Sequence, residues 1–217
     1  MKTYTDFVFD IDGTMLDTEQ TGVLSLMQTI RELTGREMSY EEAYGFFGVP
    51  SSQAAGRLGY TDEARFAEVW EEHFQELMHL VRFFPGIPEV LDELKAVGVR
   101  LGVVTSRSKF ELSYDPLLAT LLPRFDAVVC SEDSLRHKPY PDPMLAYFSK
   151  TGAQAEDTLY IGDTMHDYAC GHAAGCDFAL ADWKGRGMQG IEADYFFSDE
   201  SGLRSLIRLS RRFFSLP

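Results

Sequence analysis

Residues 7–14 read FVFDIDGT, an apolar run that leads into two aspartates one residue apart. Phe7–Phe9 have the pattern of a short buried strand, and Gly13 lets the chain turn away after it. Alternate residues of a strand point to the same face, so Asp10 and Asp12 converge as the strand ends. Two carboxylates at that separation repel each other unless one holds a proton or a cation neutralises them. An ordinary acidic turn has the same composition, so the octamer alone leaves a structural and a functional interpretation equally open.

The chain from residue 83 onward alternates between short apolar runs and amphipathic segments. The strands expected there are Val99–Val104, Ala127–Cys130, Leu159–Gly162, Phe178–Ala181 and Asp194–Phe197. The helices expected there are Pro88–Val97, Pro143–Thr151, Tyr168–Ala174 and Leu203–Phe213. Such alternation predicts parallel βαβ units with right-handed crossovers. We therefore expect an α/β fold with a Rossmann-like, three-layer core built on a parallel sheet.

The segment between the first strand and residue 83 has a different character. Apolar residues recur every three positions from Leu24 to Leu33, which is a helical spacing, and the segment contains no strand-like run. We expect about four helical elements there, forming an all-α insert. The predicted division is an α/β core domain of residues 1–14 and 83–217 and a helical domain of residues 15–82.

The charge balance restricts the partners of the chain. Its 217 residues include 20 basic and 34 acidic ones, a formal net charge of −14. This balance argues against nucleic acid or an anionic membrane as a partner, because nothing offsets the repulsion by phosphate groups. No apolar stretch is long enough to span a bilayer. Three cysteines are an odd and sparse set that favours a reducing, cytoplasmic setting. The sequence does not indicate an oligomeric state.

Several polar residues follow the predicted strands directly. In parallel sheets, ligands bind at the carboxyl ends of the strands, so Asp10, Thr105, Lys138 and Asp163 are expected to meet in one crevice. Clustered carboxylates without a pair of His or Cys ligands favour a hard cation, above all Mg²⁺. A hydroxyl and an ammonium group are suited to binding phosphate oxygens. A metal, a cationic donor and a spare carboxylate together favour phosphoryl transfer.

These residues lie in motifs that resemble those of the haloacid dehalogenase superfamily. The motifs are DIDGT at 10–14, Thr105 after LGVV, Lys138-Pro139, and GDTMHD at 162–167. The helical insert lies in the position of the superfamily's C1-type cap. KPYPDP at 138–143 and the Ala173-Ala174-Gly175 exit are similar to the phosphoglycolate phosphatase-like branch.

The resemblance implies a role for each residue. Asp10 would be the nucleophile that forms an aspartyl-phosphate, and Asp12 the acid that protonates the leaving oxygen and then the base that activates water. Mg²⁺ would be held by Asp10, the backbone carbonyl of Asp12 and Asp163. Thr105, the Ser106 amide and Lys138 would bind the transferring phosphoryl group, and Lys138 would also act in catalysis by stabilising its charge and orienting Asp10. Gly13 and Asp167 would support the site, Asp167 by bracing either Lys138 or a metal-bound water.

The expected function is a Mg²⁺-dependent phosphatase acting on a small soluble phosphate ester. Phosphoglycolate, pyrophosphate, sugar phosphates and nucleoside monophosphates all remain open as substrates. A phosphomutase similar to β-phosphoglucomutase is an alternative, although that branch tends to carry Val where Thr14 stands. A phospho-acceptor signalling domain resembling response regulators is a weaker alternative, because those domains are about half as long and lack a helical insert.

The stretch after Thr105 departs from the usual pattern of the family. Residues 106–108 form a polar loop, in which only Ser106 receives a role. A helix generally follows this loop in the family, but here Tyr114-Asp115-Pro116 interrupts it. Proline lacks an N–H group and forces the preceding residue away from the helical region. The fold tolerates this break, and the expected consequence is a change in the rim of the site.

Overall fold

The computed structural model describes residues 2–49, 51–187, 189–205 and 207 of the chain. Its strands are β1 (Asp6–Phe9), β2 (Leu16–Asp17), β3 (Arg82–Phe83), β4 (Arg100–Val104), β5 (Ala127–Val129), β6 (Thr158–Gly162), β7 (Asp177–Ala181) and β8 (Tyr195–Phe197). Its α-helices are α1 (Glu19–Thr34), α2 (Tyr40–Tyr44), α3 (Ser51–Arg57), α4 (Glu63–Glu76), α5 (Ile87–Ala96), α6 (Lys109–Tyr114), α7 (Pro116–Leu121), α8 (Asp142–Thr151) and α9 (Met165–Ala174). Residues 200–205 are also helical.

The main sheet confirms the predicted α/β class. Within the part of the chain that the structure describes, six strands pair in the order β5-β4-β1-β6-β7-β8. All of these pairings are parallel, and β1 lies between β4 and β6. The carboxyl ends of β1, β4 and β6 therefore lie side by side at the centre of one edge of the sheet.

Both faces of this sheet are buried, as a parallel sheet with flanking helices requires. Val8 and Tyr160 point to one face and pack in a cluster with Met144 and Tyr147 of α8 and Cys170 of α9. The alternate residues point to the other face and are fully buried as well: Phe7, Phe9, Leu101, Val103, Leu159 and Ile161. The central strands are therefore continuous apolar runs, which is why the sequence identified them.

The chain divides into two compact units, residues 17–82 and the rest of the described chain. The structure puts the first boundary after Leu16 rather than after Thr14. The helical unit contains α1 to α4 and has its own core, in which Leu26, Ile30 and Phe66 are buried. Trp70 donates a hydrogen bond from Nε1 to Ser25 Oγ at 2.7 Å. β2 and β3, which the sequence did not predict, form a separate two-stranded sheet where the chain passes between the units.

Three helical regions differ from, or extend beyond, the sequence-based expectation. α9 begins at Met165 rather than Tyr168, because Thr164 and Asp167 form a capping box that starts the helix. In the sequence, these polar residues resemble a loop. The break at Asp115 is present, but it separates two unpredicted short helices, α6 and α7. The helix predicted over Leu203–Phe213 is helical at its beginning, and its remainder lies outside the described residues.

No helix among the described residues is long and apolar enough to cross a membrane. The cysteines Cys130, Cys170 and Cys176 are all buried and free.

A close approach between β4 and α8 gives a test of this packing. A Cβ atom added to Gly102 would overlap the ring of the fully buried Tyr147. We expect Gly102→Ala to lower the free energy of unfolding by about 1–3 kcal/mol, because overpacking a core strains its neighbours. Urea denaturation followed by circular dichroism measures this change. Gly56→Ala is the control: Gly56 lies in α3 with open space around it, so this substitution should be neutral or slightly stabilising. Equal stability of the two variants would contradict the packing described here.

Candidate active site

Three of the predicted residues follow directly from three neighbouring strands. Asp10 comes after β1, Thr105 after β4 and Asp163 after β6. Backbone hydrogen bonds continue the sheet pairing for one further step, since Asp10 N donates to Ile161 O at 2.9 Å and Thr105 N donates to Val129 O at 3.0 Å. The sheet order therefore brings these residues to one edge.

Carboxylates cluster at this edge. Asp10, Asp163 and Asp167 each offer an oxygen atom, and the three oxygens lie within 4.8 Å of one another. Asp167 reaches the cluster from the first turn of α9, where its side chain accepts a hydrogen bond from Thr164 N at 3.1 Å. These donors are oxygen atoms of hard, anionic ligands, so the cluster fits a hard divalent cation such as Mg²⁺.

The turn after β1 approaches this cluster closely. Gly13 has a φ of +80°, a backbone conformation that favours glycine. A Cβ atom at this position would overlap Oδ2 of Asp163. The next residue, Thr14, donates from Oγ1 to Asp163 Oδ1 at 3.4 Å. Glycine at position 13 thus allows Asp163 to lie against the turn that carries the aspartates.

Lys138 connects two of the carboxylates. It lies in the loop between β5 and α8, and its Nζ donates to Asp10 Oδ1 at 2.7 Å and to Asp167 Oδ1 at 2.6 Å. The side chain of Lys138 is 5% exposed. Tyr160 Oη donates to the same Asp167 oxygen at 2.8 Å. Asp167 is therefore a direct partner of Lys138, one of the two supporting roles that the sequence left open.

Burial and mutual repulsion shift the titration of these groups. Burial raises the pKa of Asp10 to about 7; Lys138 opposes this rise, and the carboxylates of Asp167 and Asp12 add to it. Burial and the same kind of repulsion raise the pKa of Asp163 well above its usual range. Burial disfavours the charge on Asp167 too, but Lys138 and the hydrogen bonds from Thr164 and Tyr160 hold its pKa below the usual value. For Lys138, burial is outweighed by the two carboxylates, so its pKa is raised.

Asp12 lies against Arg107, a residue whose role the sequence does not indicate. Arg107 donates from Nε to Asp12 Oδ2 at 2.9 Å and from Nη2 to Asp12 Oδ1 at 2.7 Å. Its third nitrogen, Nη1, donates to Asp115 Oδ2 at 2.8 Å. Sequence analysis regarded Arg107 as part of a polar loop and Asp115 as part of a helix break. A buried arginine flanked by aspartates is the structural signal that was missing.

The predicted phosphate-binding residues lie beside this arginine. The Oγ1 atom of Thr105 accepts a hydrogen bond from the backbone N of Arg107 at 3.1 Å, which leaves the hydroxyl proton for another acceptor. Ser106 is partly buried and lies between them in the loop. The structure thus groups two sets of residues. The first is hydrogen-bonded or closely spaced and contains Asp10, Asp163, Asp167 and Lys138. The second contains Thr105, Arg107 and Asp12, which lies two residues after Asp10 in the turn that follows β1.

A protein-family model covers both sets of residues. The model of the haloacid dehalogenase-like hydrolase family matches residues 7–181, which include every residue of both sets. The chain belongs to this family of hydrolases.

The chain is also similar to several individual proteins. Pyrophosphatase PpaX of Oceanobacillus iheyensis is 26% identical over 204 residues, covering 92% of this chain and 95% of that protein. A protein of Lactobacillus plantarum assigned as a phosphoglycolate phosphatase has a crystal structure that aligns with a TM-score of 0.86 at 25% identity, covering 94% of this chain and 99% of the other. CbbY of Rhodobacter sphaeroides, crystallised with phosphate, aligns with a TM-score of 0.80 at 19% identity, covering 93% and 100%.

The titration of the carboxylate cluster predicts how the ion-free protein responds to pH. A carboxyl group whose pKa is higher in the folded state than in the unfolded state binds extra protons when folded, so its contribution to stability falls as pH rises between the two values. Asp10, raised to about 7, and Asp163 both act in this direction. We therefore expect Asp163→Asn to raise the free energy of unfolding in the presence of EDTA at pH 8 by about 1–2 kcal/mol, roughly the free energy of one pKa unit. At pH 5 the gain should be smaller.

Urea denaturation at the two pH values measures this difference. The control is Asp92→Asn, since Asp92 is an exposed carboxylate whose hydrogen bond with Arg124 lowers its pKa. That variant should not gain stability at either pH. A gain for Asp163→Asn that is independent of pH would contradict the assigned repulsion.

Proposed function

We propose that this hydrolase is a Mg²⁺-dependent phosphatase, acting on a small phosphate ester or on pyrophosphate through an aspartyl-phosphate on Asp10. The observation that carries the proposal is the buried Lys138, whose ammonium binds one oxygen of Asp10 at 2.7 Å and fixes this carboxylate at the end of the central strand. A carboxylate held by one oxygen keeps its other oxygen, Oδ2, for attack on phosphorus.

Asp10 and Asp12 divide the chemistry in this proposal. Asp10 Oδ2 forms a bond to phosphorus as the bond from phosphorus to the leaving oxygen breaks, and Asp12 gives its proton to that oxygen. Water then attacks the phosphorus of the aspartyl-phosphate and gives a proton to Asp12, and the bond between phosphorus and Asp10 Oδ2 breaks. Phosphate is released, and both carboxyl groups return to their starting state.

The surrounding residues stabilise the charge of the transferring group. Lys138 supplies positive charge beside Asp10, and the Thr105 hydroxyl and the Ser106 amide donate to phosphate oxygens. Asp10, the backbone carbonyl of Asp12 and Asp163 are the proposed ligands of Mg²⁺, and Asp167 supports them through Lys138. When bound there, Mg²⁺ would neutralise negative charge of the attacking carboxylate and of the phosphoryl group.

The similar proteins support a phosphorylated substrate, and their names direct the choice of test compounds. One is named a pyrophosphatase and one is assigned as a phosphoglycolate phosphatase. We propose pyrophosphate and 2-phosphoglycolate as the first candidates, with sugar phosphates and nucleoside monophosphates after them. The helical unit is proposed as a C1-type cap that selects among them, and a cytoplasmic location is part of the same proposal.

Phosphate release from these four classes of compound tests the function. We expect the native protein to release phosphate from at least one of them, and EDTA to abolish the release until Mg²⁺ is restored. Asp10→Asn should lower kcat by at least about a thousand-fold, because loss of a nucleophile removes the covalent route. Asp92→Asn, which replaces an exposed aspartate of α5, should retain native turnover.

Other outcomes separate the alternatives. Turnover by Asp10→Asn at the native rate would refute the assignment of the nucleophile, and turnover unaffected by EDTA would refute the metal dependence. An isomerised sugar phosphate without phosphate release would indicate a phosphomutase. A stable aspartyl-phosphate without turnover would indicate a phospho-acceptor domain.

A further inference from the structure

Both oxygens of the Asp12 carboxylate are bound by a single side chain. Arg107 forms a fork to them through Nε and Nη2, with distances of 2.9 and 2.7 Å. A planar guanidinium that binds a carboxylate through two parallel hydrogen bonds fixes the plane of the carboxylate as well as its position. The orientation of the proposed acid/base group is therefore coupled to the position of Arg107.

Arg107 is fixed in turn by a second carboxylate on its far side. Asp115 Oδ2 accepts from Nη1 of Arg107 at 2.8 Å, and Asp115 is fully buried. The other oxygen of Asp115, Oδ1, accepts from the backbone N atoms of Leu117 at 2.9 Å and Leu118 at 3.2 Å. The first turn of α7 thus holds Asp115, which holds Arg107.

The second carboxylate changes the cost of moving Asp12. The side chain of Arg107 is 6% exposed, and an unpaired cation at that depth would be strongly destabilising. Because Asp115 remains paired with Arg107, Asp12 can turn one oxygen toward a substrate while the other stays hydrogen-bonded to Arg107, and no buried charge is isolated. Asp12 itself is 27% exposed, so it is the accessible end of this chain of contacts.

We propose that Arg107, anchored by Asp115, is a positioning residue that sets the place and plane of the Asp12 carboxyl group for proton transfer. This inference rests on the proposed function, in which Asp12 protonates the leaving oxygen and then accepts a proton from water. Arg107 exchanges no proton in either step. Asp115 contacts neither substrate nor Asp12 in this proposal, and it acts through Arg107.

The dependence on the leaving group distinguishes positioning from a purely structural role. Phenolate is a poor leaving group that needs protonation, whereas 4-nitrophenolate is the conjugate base of a much stronger acid and leaves without protonation. kcat/KM reports the steps up to formation of the aspartyl-phosphate, so misplacing Asp12 should affect the two aryl phosphates unequally. A variant that only loosens the fold should affect them equally.

The experiment compares phenyl phosphate with 4-nitrophenyl phosphate for native protein, Arg107→Met, Arg107→Lys and Asp115→Asn. For Arg107→Met we expect kcat/KM to fall about a hundred-fold with phenyl phosphate and less than about ten-fold with 4-nitrophenyl phosphate. Asp115→Asn should show the same inequality with smaller losses. Arg107→Lys should recover part of the activity with phenyl phosphate, since it keeps the charge but not the fork.

Arg124→Met is the matched control. Arg124 forms an equivalent fork to Asp92, with Nε to Oδ1 at 2.7 Å and Nη2 to Oδ2 at 3.0 Å. Arg124 precedes β5, at the opposite edge of the sheet from the site. The Arg124→Met variant should show native kinetics with both compounds. Thermal unfolding of every variant shows whether that variant is folded.

The outcomes separate this inference from the function on which it rests. Native protein that hydrolyses neither compound nor any of the four substrate classes would overturn the proposed function and this inference with it. Active native protein with equal losses for both compounds in Arg107→Met and Asp115→Asn would overturn the positioning role alone. If Arg107→Met does not fold, the inequality in Asp115→Asn and Arg107→Lys decides in its place.

Discussion

The site depends on one electrostatic constraint. Several carboxylates lie together in a buried crevice, and few cations are there to balance their charge. Lys138 bridges Asp10 and Asp167, and Arg107 bridges Asp12 and Asp115. Each cation is thus shared by two aspartates. With Asp163 added, the carboxylates outnumber the cations that the described residues bring to them. An excess of buried negative charge is unfavourable in the protein alone, and it favours the binding of a divalent cation. That cation would in turn bind phosphate.

The sheet makes this crowding possible. β1 is a central strand with parallel partners on both sides, so the residue after it cannot avoid the residues after β4 and β6. The energy that holds the carboxylates together comes from the apolar strands behind them, in which Phe7 and Phe9 are fully buried. The core offsets the unfavourable repulsion among the aspartates. This repulsion is concentrated at the site for which a function is proposed.

The same division explains what the sequence could and could not predict. Strands such as β1 and β4 are short apolar runs that end at polar residues, and this local pattern locates Asp10, Thr105 and Asp163 without a structure. Lys138 could be placed in the same crevice because its loop follows a predicted strand, but nothing in that loop indicates which aspartates it binds. The Arg107 fork could not be predicted at all. Its partner Asp12 is 95 residues away, and such a pairing leaves no periodicity in the sequence. Asp115 was recognised only as the residue before a proline, since the sequence does not show that its side chain contacts Arg107 on the other side of α6.

Two aspartates that look alike in the sequence are held in different ways, and the difference agrees with their proposed roles. Asp167 accepts from Lys138, from Tyr160 and from both the backbone N and the hydroxyl of Thr164, and it is 1% exposed. Donors from three separate residues leave it little freedom to move. Asp12 is bound by the fork of Arg107, and its side chain is 27% exposed. A fork to one arginine fixes orientation, and one of its two hydrogen bonds can be released at low cost because the arginine retains Asp115. A group that must meet a leaving oxygen and then a water molecule needs that combination of order and release, whereas a group that only orients a lysine does not.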